Sequence, residues 1–333
     1  MGFRVAVDAM GGDHAPREIV LGAVQSLGDS PEYELFLVGD EKRVCAELET
    51  IRHDHGDRIH IVHASEVVGM DESPVEAIRN KKDSSILRMM KLAVDKEVDA
   101  VISAGNTGAV AAASQLRMRP LACVARPGIA VAIPSFHHPF VLCDVGANIQ
   151  PKPHHLYEYA VMSSLYAKRV LGLENPRVGL ISIGEESRKG NELVKETHKL
   201  LAGDPNLIFV GNVEGRDLFY DKCEVAVCDG FVGNIILKFV EGLSEGLFQT
   251  ISREFEDEDP VARNKFDGAL KRVWARHDYT EYGGAPLLGI DGVCFICHGR
   301  SDQRAIRNAV RAAARYFSHG LNELIAAQLG GAR

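Results

Sequence analysis

Several absences narrow the class of this sequence before any motif is read. No apolar run approaches the roughly 18–20 uninterrupted residues of a membrane-spanning helix. The longest candidate, Phe231 to Ile251, is broken by Asn234, Lys238, Glu241 and Glu245. The opening Met1-Gly2-Phe3-Arg4-Val5-Ala6-Val7-Asp8 lacks the basic segment, apolar stretch and small-residue cleavage site of a secretory signal, and reads as a strand. Seven cysteines are an odd number at spacings that form no framework, which excludes a disulfide-stapled scaffold and points to a reducing, cytoplasmic setting. Positive charge is not in excess: 38 Lys+Arg against 46 Asp+Glu leave a net charge of −8, which argues against a nucleic-acid partner. Internal repeats and low-complexity tracts are also missing. What remains is a chain of 333 residues, 46% hydrophobic and 25% charged, ordinary for a globular protein and long enough to bury a core without metal or disulfide staples.

Short β-branched runs alternate with helical patterns, which predicts a layered α/β fold with a largely parallel sheet. Expected strands are Arg4–Asp8, Glu34–Gly39, Ile59–His63, Ala100–Ser103, Ile129–Ile133, Phe140–Asp144, Val178–Ile183, Leu207–Gly211 and Val225–Cys228. Helical patterns cover Pro16–Ser26, Ser85–Asp95, His154–Leu171 and Asn191–Leu201. A weaker strand pair, Leu287–Ile290 and Val293–Cys297, precedes a long helix from about Asp302. The chain reads as a single catalytic unit over 1–333, with a helical excursion around 235–280. The acidic run from Glu254 to Asp259, closed by Pro260, marks an exposed break between two helices of that excursion.

Five times a strand ends in a Gly-, Asn- and Asp-rich turn that opens a helix: Asp8 to His14, Ser103 to Gly108, Asp144 to Asn148, Gly184 to Asn191, and Asp229 to Asn234. In an open α/β sheet such turns gather at the carboxyl ends of the strands, where ligands bind. Glycines let backbone N–H groups approach an anion, and the helix behind adds a partial positive charge. Any one turn is explained by helix capping alone; five together predict an anion-binding cleft. Gly184 to Asn191 is not a Walker loop, because Lys189 precedes the second glycine and no Ser or Thr follows it. None of the turns matches the dinucleotide G-x-G-x-x-G pattern, so a nucleotide site has no support.

These strings carry a resemblance. Val5-Ala6-Val7-Asp8-Ala9-Met10-Gly11-Gly12-Asp13-His14-Ala15-Pro16 resembles the opening of the phosphate acyltransferase (PlsX) family of bacterial phospholipid synthesis. Met70-Asp71-Glu72-Ser73-Pro74, Lys82-Asp83-Ser84-Ser85, the turns above, Gly283-Gly284-Ala285-Pro286-Leu287-Leu288-Gly289 and His298-Gly299 continue it in the family's order. The resemblance implies a three-layer α/β/α fold similar to that of isopropylmalate dehydrogenases and phosphate acetyltransferases. It implies acyl phosphate formation from acyl-carrier protein and inorganic phosphate, with no cofactor and no metal. It further implies a homodimer that associates peripherally with the inner face of the membrane and hands its product to a membrane glycerol-phosphate acyltransferase.

Phosphate near neutral pH is already an anion, so attack on a thioester needs no nucleophile-activating triad, and a thiolate leaves readily. The site must supply an anion cradle, donors for the developing oxyanion and a fixed approach. The expected cradle is the Gly11 and Gly12 backbone, the Asn106–Thr107 turn and Lys189; Lys189 is otherwise an ordinary surface lysine. Asn148, Asn191, Asn234 and His298 are the expected oxyanion or carbonyl donors. Asp8, Asp13, Asp144 and Asp229 repel phosphate, and are expected to hold lysine, asparagine or loop N–H groups around the substrate, or simply to cap helices.

An acidic carrier protein calls for a basic dock. Arg263, Lys265, Lys271, Arg272 and Arg276 form one candidate. Arg300, Arg304, Arg307, Arg311 and Arg315, at helical spacing, form another or else a solvated helix face. The apolar stripe from Ile235 to Phe255 is read as core, dimer surface or lipid contact.

Cys294-Phe295-Ile296-Cys297-His298 spells the haem-attachment pattern but lacks the export signal that chemistry needs. The histidines at 53, 55, 60, 63, 137, 138, 154 and 155 are scattered and read as solvated. Cys143 and Cys228 are alternative acyl-enzyme nucleophiles or small buried strand residues. Rival activities are an isopropylmalate-type dehydrogenase requiring Mg²⁺ and NAD, a small-acyl phosphotransferase using coenzyme A, and a non-enzymatic scaffold.

Overall fold

The computed structural model describes residues 2–255, 259, 265–270, 272–273 and 279–331. Eleven strands form one sheet: β1 (Phe3–Asp8), β2 (Tyr33–Gly39), β3 (Ile59–His63), β4 (Ala100–Ser103), β5 (Gly128–Ile133), β6 (Phe140–Cys143), β7 (Arg177–Ile181), β8 (Ile208–Val213), β9 (Val225–Val227), β10 (Ala285–Leu288) and β11 (Val293–Ile296). Their order is β3-β2-β1-β4-β11-β10-β5-β6-β9-β7-β8. Both faces are covered, as the near-continuous apolar strands require. Along β1, Val5 and Val7 point into one core and Ala6 into the other, because side chains alternate across a strand. The first core packs against helices Arg17–Ser26, Pro153–Arg169, Gln303–Ser318 and Leu321–Gly330; the second against Pro74–Asn80, Ser85–Val94, Thr107–Arg117 and the start of Gly230–Glu254.

Polarity divides the sheet. β10 is antiparallel to both its neighbours and β6 is antiparallel to β5, while every other pairing is parallel. So β1 to β5 and β11 run one way, and β6 to β10 the other. β10 joins the halves through very short ladders, Ala285↔Ile296 and Pro286↔Phe295 on one side, Leu287↔Ile129 and Leu288↔Gly128 on the other. The weak strand pair of the sequence therefore sits at the centre of the sheet. The long C-terminal helix is two helices, broken at Gly320, whose φ of 58° is the left-handed conformation that glycine adopts without strain.

The arginine row on helix Gln303–Ser318 and just before it stays largely solvated, with Arg300, Arg304, Arg311 and Arg315 exposed, but several of its members are engaged in ion pairs. Arg307 and Arg311 both grip Asp29, with N–O distances of 2.5–3.1 Å. Arg304 pairs with Glu281, and Arg300 with Glu245 at 3.4 Å. Burial alone would raise the Asp29 carboxyl, but its hydrogen bonds to Arg311 and Arg307 outweigh that and hold it at about 2. A carboxyl depressed on folding stabilises the native state above the unfolded value near 4, and that contribution is lost as pH falls toward 2. Asp29→Asn is therefore expected to cost about 1–2 kcal/mol at pH 6, allowing for solvent screening. Urea titrations of variant and parent should converge as pH falls from 4 to 2; a gap independent of pH would refute the assignment.

Candidate active site

The glycine-bearing turns fall into two groups and an outlier, and the sheet's divided polarity explains why. The first group closes the carboxyl ends of β1, β4 and β11. Asp8, buried at the end of β1, accepts the Met10 N–H at 3.1 Å and the Ser103 hydroxyl at 2.7 Å, and Ser103 in turn accepts the Gly105 N–H at 3.0 Å. Burial raises the Asp8 carboxyl above its ordinary value, opposed by these hydrogen bonds. The two turns touch so closely that a Cβ on Gly11 would lie 2.7 Å from both Asp8 Oδ2 and the Gly105 nitrogen. Gly12, at φ 105°, packs on the Gly299 carbonyl, which accepts the Asp13 N–H at 2.7 Å. Asp13 itself is exposed, with its carboxylate beside Gly299.

Asn106 fastens this group. Its Oδ1 caps helix Thr107–Arg117 through the Ala109 N–H at 3.0 Å, and its Nδ2 donates to the carbonyls of Gly69, Met70 and Glu72 at 3.1–3.2 Å. The side chain is thus committed to holding the loop. The turn's remaining donors are the first-turn N–H groups of Thr107 and Gly108, which make no internal hydrogen bond among the described residues.

The second group closes β6 and β9. Asp144 is buried and accepts four backbone N–H groups, from Ile129, Gly146 and Ala147 at 3.0–3.1 Å and from Asn148 at 2.7 Å. Burial raises its pKa, and the N–H donors oppose that. Asn148 spends its Nδ2 on the Pro127 carbonyl at 2.7 Å and the Tyr159 hydroxyl at 2.8 Å, so it stabilises the turn and offers no spare donor to a substrate. Asp229 caps helix Gly230–Glu254 through the Phe231 and Val232 N–H groups, both at 3.0 Å. Asn234 is exposed and lies against Gly146.

Lys189 and Asn191 stand apart. Both are exposed on the turn after β7; Asn191 caps helix Glu192–Ala202 through Val194 at 3.0 Å, and the Lys189 stem lies over Gly184. No hydrogen bond or ion pair among the described residues joins them to either group.

The bridge between the groups is helix Gly230–Glu254. It starts at the Asp144 turn and, one turn past Asn234, brings Lys238 to His298 at the end of β11, with Nζ to Nε2 at 3.2 Å. Burial, with Lys238 and Arg300 adding positive charge nearby, lowers the His298 pKa. From the sequence alone Lys238 and Glu241 register only as charges interrupting an apolar run, and Ser103 only as the start of a turn. The signal available for Lys238 was its four-residue spacing from Asn234, which places both on one helix face.

The cysteines are unsuited to nucleophilic work. Cys143 and Cys228 are fully buried and their thiols are raised well above the ordinary value by desolvation; Cys294 and Cys297 are pushed up to about 12 by the same cause. One group of three potential metal ligands exists among the described residues, His138, Asp221 and Glu224. Arg177 already supplies its positive charge, at 2.7 Å from Asp221 and 2.5 Å from Glu224. Of the expected carrier dock, Lys265 and Arg272 are exposed, while Arg263, Lys271 and Arg276 lie outside the described residues.

The family model described as "Fatty acid synthesis protein" matches residues 3–324. A curated phosphate acyltransferase from Moorella thermoacetica is 48% identical over 324 residues, covering 96% of this chain and 94% of the relative. One from Halothermothrix orenii is 45% identical over 329 residues, covering 97% of each. Among solved structures, the chain is similar to a phosphotransacetylase from Streptococcus pyogenes, with TM-score 0.68, 16% identity and coverage of 95% and 94%. The EutD phosphotransacetylase from Staphylococcus aureus follows with TM-score 0.63, 14% identity and the same coverage. At those identities the structures establish a shared fold.

Proposed function

The chain belongs to the fatty acid synthesis protein family and is an acyltransferase of the phosphate acyltransferase kind, and from that premise we propose that it forms acyl phosphate from acyl-[acyl-carrier protein] and inorganic phosphate. The phosphate oxygen attacks the thioester carbon, the C–S bond breaks, and the carrier thiol takes the proton of hydrogen phosphate. The acyl phosphate then feeds phosphatidic acid synthesis.

The observation that carries this reading is the Asn106–Thr107 turn, which leaves the Thr107 and Gly108 N–H groups without an internal acceptor among the described residues, while the cysteines at the turns are buried and poor nucleophiles. Direct attack asks for that arrangement: donors and positioning without a covalent nucleophile. In this reading phosphate lies against the backbone of Gly11, Gly12 and the Asn106–Thr107 turn. Lys189, exposed on the turn after β7, is the further cation that this reading assigns to catalysis.

An acidic carrier would dock on positive charge. Besides Lys265 and Arg272, a groove of about 640 Å³ lined by Lys82, Arg88, Lys91, Arg117 and Arg119 supports such a dock, its positive charge in excess although Asp83 in the lining pairs with Arg88 and Asp95 with Lys91. It begins at the Lys82-Asp83-Ser84-Ser85 motif, close to Asp8. No helix among the described residues is long and apolar enough to cross a membrane. Helix Gly230–Glu254 does expose Phe231, Ile235, Phe239, Leu243, Leu247 and Ile251, which supports a second copy of the chain or a lipid surface as its cover. In that reading the homodimer works in the cytoplasm and binds peripherally to the membrane, where the glycerol-phosphate acyltransferase takes up its product.

Purified protein given phosphate and acyl-carrier thioesters of graded chain length is expected to yield acyl phosphate, with coenzyme A thioesters much poorer donors. Chelators should leave the rate unchanged, and no nicotinamide absorbance should develop. A rate dependent on NAD and Mg²⁺ would favour the dehydrogenase instead. In the same assay Lys189→Ala is expected to lower turnover at least tenfold without shifting the melting temperature; full turnover at saturating phosphate would remove Lys189 from the site.

A further inference from the structure

Helix Gly230–Glu254 places Asn234, Lys238, Glu241 and Glu245 on one face, at spacings of four, three and four. Lys238 Nζ lies 2.7 Å from Glu241 Oε2 and 3.2 Å from His298 Nε2, while that carboxylate oxygen is 3.9 Å from the ring. The other ring nitrogen, Nδ1, accepts the Arg300 N–H at 3.2 Å. In a neutral imidazole one nitrogen accepts and the other carries the proton. Since Nδ1 accepts, the proton sits on Nε2. Two N–H donors, the ammonium of Lys238 and Nε2–H of His298, therefore face each other at hydrogen-bond distance with neither able to satisfy the other. Glu241 Oε2 takes one proton of the ammonium but stands 3.9 Å from Nε2, beyond hydrogen-bond reach, so the ring N–H and the remaining ammonium protons are open to a further oxygen acceptor.

We propose that Lys238 and His298 together bind the carbonyl oxygen of the acyl thioester and hold the oxyanion that forms when phosphate attacks. This rests on the acyl-transfer reading above and names the residues that carry its central step. Glu241 is a positioning residue that fixes the ammonium; burial and the Lys238 charge lower the His298 pKa against the opposing pull of Glu241.

The charges around the pair select the ligand. The Glu241 carboxylate touches Lys238, and Asp13 lies beside Gly299, the residue after His298. A phosphate dianion arriving here would meet both carboxylates. A thioester carbonyl is neutral on arrival and becomes negative only in the tetrahedral adduct. The two donors interact more strongly with the oxygen as negative charge develops on it, and the Lys238 ammonium offsets the Glu241 carboxylate beside it, so they favour the transition state over the ground state. In the step itself, the electron pair of the C=O bond moves onto the oxygen between Nζ–H and Nε2–H as the phosphate oxygen bonds to carbon. Collapse restores C=O and expels the carrier sulfur.

Lys238→Met is expected to lower kcat by about 100-fold or more, the usual loss for one oxyanion donor, with KM for phosphate changed less than threefold. His298→Gln should lose at least tenfold, and the double variant less than the product of the two, because the donors serve one oxygen. Lys238 is half-exposed, so the fold should survive, as an unchanged melting curve will show. Lys238→Ala supplemented with ethylammonium should regain activity where His298→Gln does not. Lys238→Arg offers a second reading that keeps the charge. Unchanged kcat in Lys238→Met, or a loss confined to KM for phosphate, overturns the assignment. If the parent protein makes no acyl phosphate, the acyl-transfer reading fails and this one with it; parent turnover beside a fully active Lys238→Met defeats this inference alone.

Discussion

Gly233→Ala is expected to destabilise the protein by about 3–5 kcal/mol and to abolish activity in whatever fraction still folds. A Cβ at Gly233 would overlap the Asp144 carbonyl oxygen and come within 2.9 Å of its carbon and 3.0 Å of Cys228 Sγ. Two of those atoms are backbone at the end of β6, and the third belongs to a fully buried side chain, so no flexible chain end can give way. Relief requires the helix to retreat from the sheet. That retreat would also draw Asn234 away from Gly146 and Lys238 away from His298, because all lie in the same three turns. The measurement is a thermal melt beside an acyl phosphate assay, with the melting temperature falling by roughly 5–15 °C. Gly242 and Gly246, further along the helix, have open space where a Cβ would go. Their alanine variants should melt at or slightly above the parent temperature, since alanine is the better helix former. If Gly233→Ala behaved as they do, the close approach of helix to sheet would be refuted.

Asp144→Asn is the second large effect, expected at about 3 kcal/mol. The carboxylate has two oxygens and both face N–H donors, three at one and Asn148 at the other. An amide keeps one oxygen and turns the other position into a donor. Wherever it rotates, an N–H meets an N–H, and the group stranded by that clash costs roughly 1–3 kcal/mol, more when a charge-assisted bond is lost as well. Hydrogen exchange should show the Gly146, Ala147 and Asn148 amides losing protection first. Asn148 also anchors the Tyr159 hydroxyl, so the disturbance should spread into the core under helix Pro153–Arg169. Protection unchanged at those three amides would mean that the carboxylate does not hold the turn.

Most of the strands were readable from the sequence for a simple reason. Runs such as Val5-Ala6-Val7 and Val225-Ala226-Val227 are short, β-branched and bounded by Asp and Gly, and burial on both faces leaves them few alternatives. The direction in which those strands run was not readable. Nothing in Phe140–Cys143 distinguishes a parallel from an antiparallel neighbour, and the tight return from Ile133 to Phe140 is set by the turn and by packing. That return reverses β6, β7 and β9 relative to β1 and β4, so the Asp144, Gly184 and Asp229 turns close the opposite end of the sheet from the Asp8 and Ser103 turns.

The site residues divide along a similar line. Asp229 was legible as a cap because capping is local chemistry, decided within three residues; Asn106 and Asn191, read as phosphate and oxyanion contacts, cap their helices by the same local chemistry. Asn148 was not legible as a locked side chain, since its partners, Pro127 and Tyr159, lie 21 and 11 residues away. Lys238 was hidden by its setting among Ile235, Ile236, Leu237, Phe239 and Val240, where a single charge reads as an interruption. Its meaning comes from His298, 60 residues downstream, through a sheet order in which β11 lies beside β4. Local patterns announce caps and strands; partners brought together by topology require the fold.

The two-rung seams on either side of β10 have a mechanical consequence. Bending stiffness across a sheet comes from the number of rungs that must shear together, and the ladders flanking this strand are among the shortest in the molecule. The β1 side and the β6 side therefore behave as two stiff plates joined along a compliant crease, with helix Gly230–Glu254 as a strut across it. A small fold along the crease would change the spacing between the Gly146 turn and the His298 turn while leaving the longer ladders on each side intact.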